Sequence, residues 1–340
     1  MTWTRRDRRD WRIFFWVSLA SAMVSAVFSL NVSPPSESWP HAIAQGVVTS
    51  LLVATPILLF ELRSRRAGIL RRLRRLPLPL YFAVKVLYYV IFILFGLIVA
   101  RLVMTTDFEF DALFHRSVFF AIGMSVVGNL IFEMGGLLGF GTLKSLVTGR
   151  YVQPKREQRA FLLIDMKDST GIAERLGGVL FHELLNDFFR DVADAALECE
   201  AEIHKYVGDE AILTWKGAAS LADGECLRCP FIAQELMKRH GRVYLARFGA
   251  IPTFRAAIHY GEVVAGEIGD VRREIAYVGD TLNVAARLLD AAKELGHDVL
   301  VSDELLAQAP LPTGLKAIKL PVLTVRGRAA ALGVSALASA

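Results

Sequence analysis

The chain has 340 residues, a formal charge of +5, and 54% hydrophobic against 21% charged residues; its mean hydropathy is +0.40 and its pI near 9.1. So apolar a composition excludes an ordinary soluble protein of this length and places part of the chain in lipid. The excess is uneven, because residues 1–150 hold nearly all the long apolar runs, whereas beyond about 155 apolar and charged residues mix as in a domain with its own core.

Four runs, at about 13–32, 42–60, 80–100 and 118–140, are each long enough to cross roughly 30 Å of hydrocarbon. They predict an all-α four-helix transmembrane domain over 1–140. The first run is too long for a signal-peptide core and no small-residue cleavage site follows it, so it is expected to stay attached. Arg5, Arg6, Arg8, Arg9 and Arg12 precede the first span, and seven arginines lie between the second and third. SPPSESWPH has none, and the remaining loop sets Asp107, Glu109 and Asp111 against Arg101 and Arg116. This asymmetry predicts a multi-pass protein of the inner (plasma) membrane with both termini and the C-terminal domain in the cytoplasm. The arginine loop is read as a topology signal touching anionic membrane lipid, not nucleic acid.

Lys85 stands about one turn into the third span and Glu133 at similar depth in the fourth, so the antiparallel helices are expected to pair them, with Asn129 one turn away. A small-ligand or gating site is the alternative. The helices either anchor and dimerise the chain or sense an unknown ligand and pass the signal through residues 141–160.

Residues 141–158 read as a short basic cytoplasmic connector, and 159–340 as one domain. FLLIDM (161–166) is a buried strand, and 168–200 a helix begun by a Ser/Thr cap. EIHKYV and EAILTW form a hairpin; a helix at 219–239, a second hairpin at 254–269, a helix at 280–295 and short closing strands follow. The order predicts an α+β domain with an antiparallel-rich sheet and helices on one face, related to the ferredoxin-like split βαβ. Three cysteines, Cys199, Cys226 and Cys229, include a CLRC with metal or redox spacing, but no second pair follows and reduced thiols are expected.

Asp165 ends a strand beside the hairpin whose tip carries Asp209. Two carboxylates so placed repel unless a divalent cation lies between them, and the loop MKDST opens a helix whose first amides, at Thr170, suit a polyphosphate. Further on, Asn283 and Arg287 lie four apart on one helix face, a pairing that suits a sugar and a phosphoryl group as well as a structural ion pair.

FLLIDMKDST, HKYVGDEAIL, FRAAIHYGEVVAGEIG and YVGDTLNVAARL, in that order and at those separations, resemble the catalytic domain of class III nucleotidyl cyclases over roughly residues 159–335. The resemblance implies a multi-domain protein, four transmembrane helices followed by a ferredoxin-like cyclase domain, that converts ATP to 3′,5′-cyclic AMP and pyrophosphate. It further implies that Asp165 and Asp209, with the Met166 carbonyl, hold two Mg²⁺ or Mn²⁺ ions; that Lys205 contacts the purine, lysine there going with adenine; that Asn283 orients the ribose and Arg287 stabilises charge on the α-phosphate; and that Arg328 meets the terminal phosphates. The site is expected to form between two chains of a homodimer. No general base is assigned, His204 and His259 being read as structural.

Two departures stand out. Ala276 occupies the second purine-contact position and offers no side-chain hydrogen bond. Asp168 lies in the phosphate loop, where it must point away or meet Lys167 or Arg175. The alternatives are a guanylate cyclase, disfavoured by Lys205, and a silent cyclase-like membrane receptor that only binds nucleotide. A diguanylate cyclase is excluded by the missing GG(D/E)EF signature.

Overall fold

The computed structural model describes residues 5–33, 38–64, 76–104, 112–271, 273–323 and 331–340, and its contacts divide the chain into two compact units, Met1–Leu138 and Gly139–Ala340.

The first unit holds α1 (Arg5–Val32), α2 (Trp39–Ser64), α3 (Leu78–Met104) and α4 (Ala112–Leu138). Each contains a stretch long and apolar enough to span a membrane: Asp10–Val32, Trp39–Glu61, Pro79–Val103 and Ala112–Leu138. Many of their large side chains face outward, Phe95 and Phe119 among them, as expected where lipid rather than water is the solvent. Neighbours in the chain pack together, α1 on α2, α2 on α3 and α3 on α4. Small residues set the approach: a methyl group on Gly46 would lie 2.7 Å from the Ser25 carbonyl oxygen, and one on Gly96 would lie 2.8 Å from Val53. Ser21 and Ser50 hydroxyls join α1 to α2 at 2.9 Å.

Lys85 meets Glu133 at 2.9 Å, the pairing the sequence suggests, and it also meets Glu61 of α2 at 2.7 Å. Glu61 sits at the end of its span and was not counted among the intramembrane charges. Tyr81 donates to Glu133 at 3.2 Å and Tyr89 to Glu61.

The second unit begins with α5 (Phe140–Val147), so residues 141–158 hold this helix, a turn that buries Tyr151, and the start of β1 (Lys155–Met166). The predicted single helix over 168–200 is two, α6 (Ser169–Leu176) and α7 (Gly178–Glu198), because Gly177 takes φ 75° between them. The cap also differs from expectation: Asp168, at φ 53°, is the N-cap and makes no side-chain capping bond. Next come β2 (Glu202–Val207) and β3 (Glu210–Lys216), a 3₁₀ turn at Ala218–Leu221, α8 (Glu225–Arg239) and α9 (Gly241–Phe248). The segment 254–269 is not a hairpin but one strand, β4 (Phe254–Ile268), which lies along all of β1 in antiparallel register. Its hairpin partner is β5 (Glu274–Val278). The chain continues with α10 (Asp280–Glu294), β6 (Val299–Ser302), α11 (Asp303–Leu306), β7 (Leu315–Lys319) and β8 (Val334–Ser339).

The sheet order is β2-β3-β1-β4-β6-β8-β7, with β5 on β4; β4–β6 is parallel and the other pairs antiparallel. Helices cover both faces rather than one. Leu162, Ile164 and Met166 enter a core with α7 and α8, while Phe161 and Leu163 enter another with Val284, Leu288 and Ala292 of α10. That is why FLLI is a continuous apolar run instead of an alternating one.

Candidate active site

Asp165 falls on the α10 side of the sheet, with Glu210 opposite on β3 and Arg255 opposite on β4. The β2–β3 loop has two residues, Gly208 and Asp209, between the paired Val207 and Glu210. Gly208 takes φ 61°, the left-handed value that a tight hairpin with glycine first requires, and this carries Asp209 over the end of β1. There the Asp209 carboxyl lies close enough to Asp165 for their charges to act on one another. Burial, then the Asp209 charge, pushes the Asp165 carboxyl up to about 6, with Arg255 and Lys293 opposing. Glu210 is pushed up to about 7 by burial and by Asp165, Asp209 and Asp290. Like charges across a strand pair are destabilising, so three acids crowded at one sheet edge form a donor set short of positive charge.

That set suits a hard divalent cation, which takes carboxylate and carbonyl oxygens. Among the described residues no three His, Cys, Asp or Glu side chains are arranged as a complete metal cage. Two carboxylates with the neighbouring Met166 carbonyl leave ligand positions for substrate oxygens, as magnesium sites on phosphate substrates do. The first amides of α6, around Thr170, have no intrahelical acceptors. Asp168 meets Arg175 at 3.4 Å, and Lys167 pairs with Asp298.

Lys205 lies on edge strand β2, opposite Ile212 and on the α10 side. Its ammonium meets Glu274 of β5 at 3.3 Å. Glu274 and Ala276 are two apart and so project to the same side of β5. The sequence reading missed Glu274; the only available signal was its place two residues ahead of Ala276. Glu210 was likewise not counted in the site. Asn283 is exposed and Arg287 half-buried on α10. By helical rise Asn283 stands about 10 Å before Asp290, the α10 residue whose charge acts on Glu210. Arg328 lies outside the described residues.

The histidines pack. His204 rests against the Tyr277 ring with centroids 4.7 Å apart, and burial, then Lys205 and Arg159, pushes it down to about 4. Buried His259 pairs with Ser302 at 2.8 Å. Beneath them, fully buried Arg159 joins Glu157, Glu202 and the Tyr151 hydroxyl, each at 3.0 Å, and lies 4.7 Å from the Tyr277 ring centre. Cys226 and Cys229 are core residues, the Cys226 thiol being pushed up to about 12 by burial.

A strand-end aspartate, a Gly-Asp hairpin and an Asn-x-x-x-Arg helix around one sheet define a nucleotidyl-cyclase type of catalytic domain. Residues 152–315 match the model of the "Adenylate and Guanylate cyclase catalytic domain" family. The chain is 34% identical over 299 residues to "Adenylate cyclase 2" of Rhizobium meliloti (strain 1021), an alignment covering 86% of this chain and 82% of that protein. It is 26% identical over 159 residues to "Adenylate cyclase" of Anabaena cylindrica, covering 44% and 30% of the two chains. A solved bacterial light-regulated adenylyl cyclase superposes with a TM-score of 0.53 at 16% identity, over 63% of each chain, and so shares the fold. The chain belongs to the adenylate and guanylate cyclase family, and it is an enzyme of that family with four apolar helices ahead of the catalytic domain.

Proposed function

We propose that this protein is a membrane-anchored adenylate cyclase whose two equivalent active sites form across a homodimer, with both termini and the catalytic domain on the cytoplasmic side of the inner membrane. The observation that carries the reading is the closeness of Asp165 and Asp209, which together with burial pushes the Asp165 carboxyl up to about 6 and calls for cations. The adenylate cyclase named from Rhizobium meliloti supports ATP as the substrate.

In each site Asp165, Asp209 and the Met166 carbonyl of one chain hold two Mg²⁺ or Mn²⁺ ions, which when bound neutralise phosphate charge and favour ionisation of the ribose 3′-hydroxyl. The other chain supplies Lys205 to the adenine, Asn283 to the ribose and Arg287 to the α-phosphate. The 3′-oxygen bonds to the α-phosphorus in line with departing pyrophosphate, and its proton passes to solvent. Arg287 meets the charge that develops on the α-phosphate oxygens. Glu274 holds the Lys205 ammonium beside the base and so stands in for the contact that Ala276 cannot make. Thr170 amides and Arg328 serve the terminal phosphates.

Several features favour two chains. Arg287 has no ion-pair partner among the described residues, and exposed Val207, Ile268 and Val278 ring the two hairpins that carry the site.

The test is full-length protein in detergent, with Mg²⁺ or Mn²⁺ and each nucleoside triphosphate in turn, assayed for cyclic product. Cyclic AMP should dominate, Asp209→Ala should lower it at least about a hundredfold, comparable to losing a main electrostatic element of a catalytic site, and Lys205→Glu should move base choice toward GTP. No cyclic AMP with either metal would end this reading. Activity restored on mixing inactive Asp209→Ala with inactive Arg287→Ala protein would establish the shared site, because each hybrid dimer has one site with both substitutions and one with neither.

A further inference from the structure

We propose that the transmembrane bundle binds a neutral, mostly apolar molecule bearing one carbonyl or hydroxyl oxygen, seated in a cavity between its helices with its polar end on Asn129. This site is separate from the catalytic one and rests only on the four helices lying in a membrane, not on the cyclase reading.

A cavity of about 410 Å³ runs through the bundle and touches all four helices, a volume within the range of small-molecule sites. Its walls are largely apolar, with Val24 and Phe28 from α1, Val53 and Ile57 from α2, and Phe120 and Met124 from α4. The ring of Phe28 stacks on that of Phe120 with centroids 4.0 Å apart, joining α1 to α4 across it. Serine and threonine hydroxyls, Gln45 and, near the end of α3, Arg101 also line it, and Glu61, Tyr89 and Asn129 form one polar cluster.

Asn129 is the informative group. It is 2% exposed, and its Nδ2 has no hydrogen-bond partner among the described residues. Its Oδ1 lies 3.5 Å from the Tyr89 hydroxyl, which already donates to Glu61, too long for a strong bond. A carboxamide left unsatisfied away from water is costly, and in a transmembrane helix no water replaces the missing partner. The protein thus keeps an unsatisfied polar handle at the wall of a mostly apolar cavity.

The charges nearby decide which ligand head fits. Glu61, which shares Lys85 with Glu133, lines the cavity together with Asn129. A fatty-acid carboxylate or a phosphate would add repulsion in a low-dielectric site. A bare ammonium offers no acceptor to the free Nδ2–H. A neutral oxygen accepts that hydrogen bond without adding charge. A hydroxyl satisfies the carboxamide in either orientation of its amide.

The experiment labels the full-length protein in detergent with a long-chain methyl ketone carrying a diazirine near the far end of its tail. Alcohol, ketone, fatty acid and alkane of the same chain length compete, and labelled positions are read by mass spectrometry. The expected labels fall on cavity residues of α1 and α4, with ketone and alcohol competing at least tenfold better than acid and alkane. Asn129→Leu should erase that difference between alcohol and alkane while raising the thermal unfolding midpoint, since it removes the orphan amide. Gly128→Phe is the second variant: Gly128 lines the cavity, and a Cβ there meets nothing within 4 Å, so the ring should fill the chamber and abolish labelling. Labels confined to outward-facing residues such as Leu87 and Phe119 would overturn the proposal. So would equal competition by the alkane or the acid, or an unchanged ranking in Asn129→Leu.

Discussion

Replacing Lys85 by Met tests the reading of the membrane unit most directly. The ammonium is 2% exposed and lies 2.7 Å from Glu61 and 2.9 Å from Glu133. Methionine fills nearly the same volume, so packing changes little and the loss is electrostatic. Without Lys85, the two carboxylates lose the cation they share, and the Tyr81 and Tyr89 hydroxyls that donate to them carry no charge to replace it. Breaking a buried pair by removing one partner costs about 3–5 kcal/mol, whereas exchanging the whole group for neutral residues is close to neutral. Lys85→Met should therefore lower the thermal midpoint of the detergent-solubilised protein by at least about 6 °C, taking about 2–4 °C per kcal/mol for a unit of this size. Glu133→Gln, which leaves Lys85 its Glu61 partner at 2.7 Å, should cost far less. The triple variant Lys85→Met/Glu61→Gln/Glu133→Gln should recover most of the loss. An unchanged midpoint in Lys85→Met, or a triple variant no better than the single, refutes the argument that one shared cation holds α2, α3 and α4 together.

Glu274→Ala should free the Lys205 ammonium, and since the pair is half-exposed its effect on stability should stay within about 1 kcal/mol. Its signature is selectivity: the ATP-to-GTP ratio of kcat/KM should fall about fivefold through KM, with Glu274→Gln partly restoring it, and an unchanged ratio removes Glu274 from base selection. His204 carries a pH dependence. Its folded value of about 4 lies below the unfolded value of about 6.5, so the unfolded chain binds more protons between those pH values. The stability contributed by the neutral ring is complete above about 6.5 and lost as pH falls toward 4. Allowing for partial exposure this is roughly 2 kcal/mol. Relative to the parent, His204→Phe should flatten stability over that window, and parallel pH curves would refute the assignment. The Cys226 thiol, buried and pushed up to about 12, should resist iodoacetamide at pH 8 until the protein unfolds. Rapid native labelling would show that this core opens.

The four membrane helices were legible because length and hydrophobicity alone decide whether a segment suits a bilayer. The Gly-Asp hairpin was legible for a similar reason: a tight turn is a local event, and Gly208 followed by Asp209 states both its geometry and its charge. Local pattern failed where a residue's environment came from elsewhere in the chain. The stretch from Phe254 to Ile268 contains Gly261 and reads as a hairpin, yet it runs on as one strand because twelve residues of β1 pair with it. The residues 168–200 keep a helical period across Gly177, which nonetheless turns the backbone between α6 and α7.

Sequence by itself determined the class of the protein and which acids and bases stand at motif positions, since those rest on residue type, spacing and total hydrophobicity. Only the tertiary structure decided which side chains share a field. It set Glu210 opposite Asp165, Glu274 against Lys205, and Glu61 with Lys85. It also placed α10 on the second face of the sheet. Partners 24 to 69 residues apart in sequence leave no periodic trace. Electrostatic interaction depends on distance and burial through the fold, and neither is a property of any one segment.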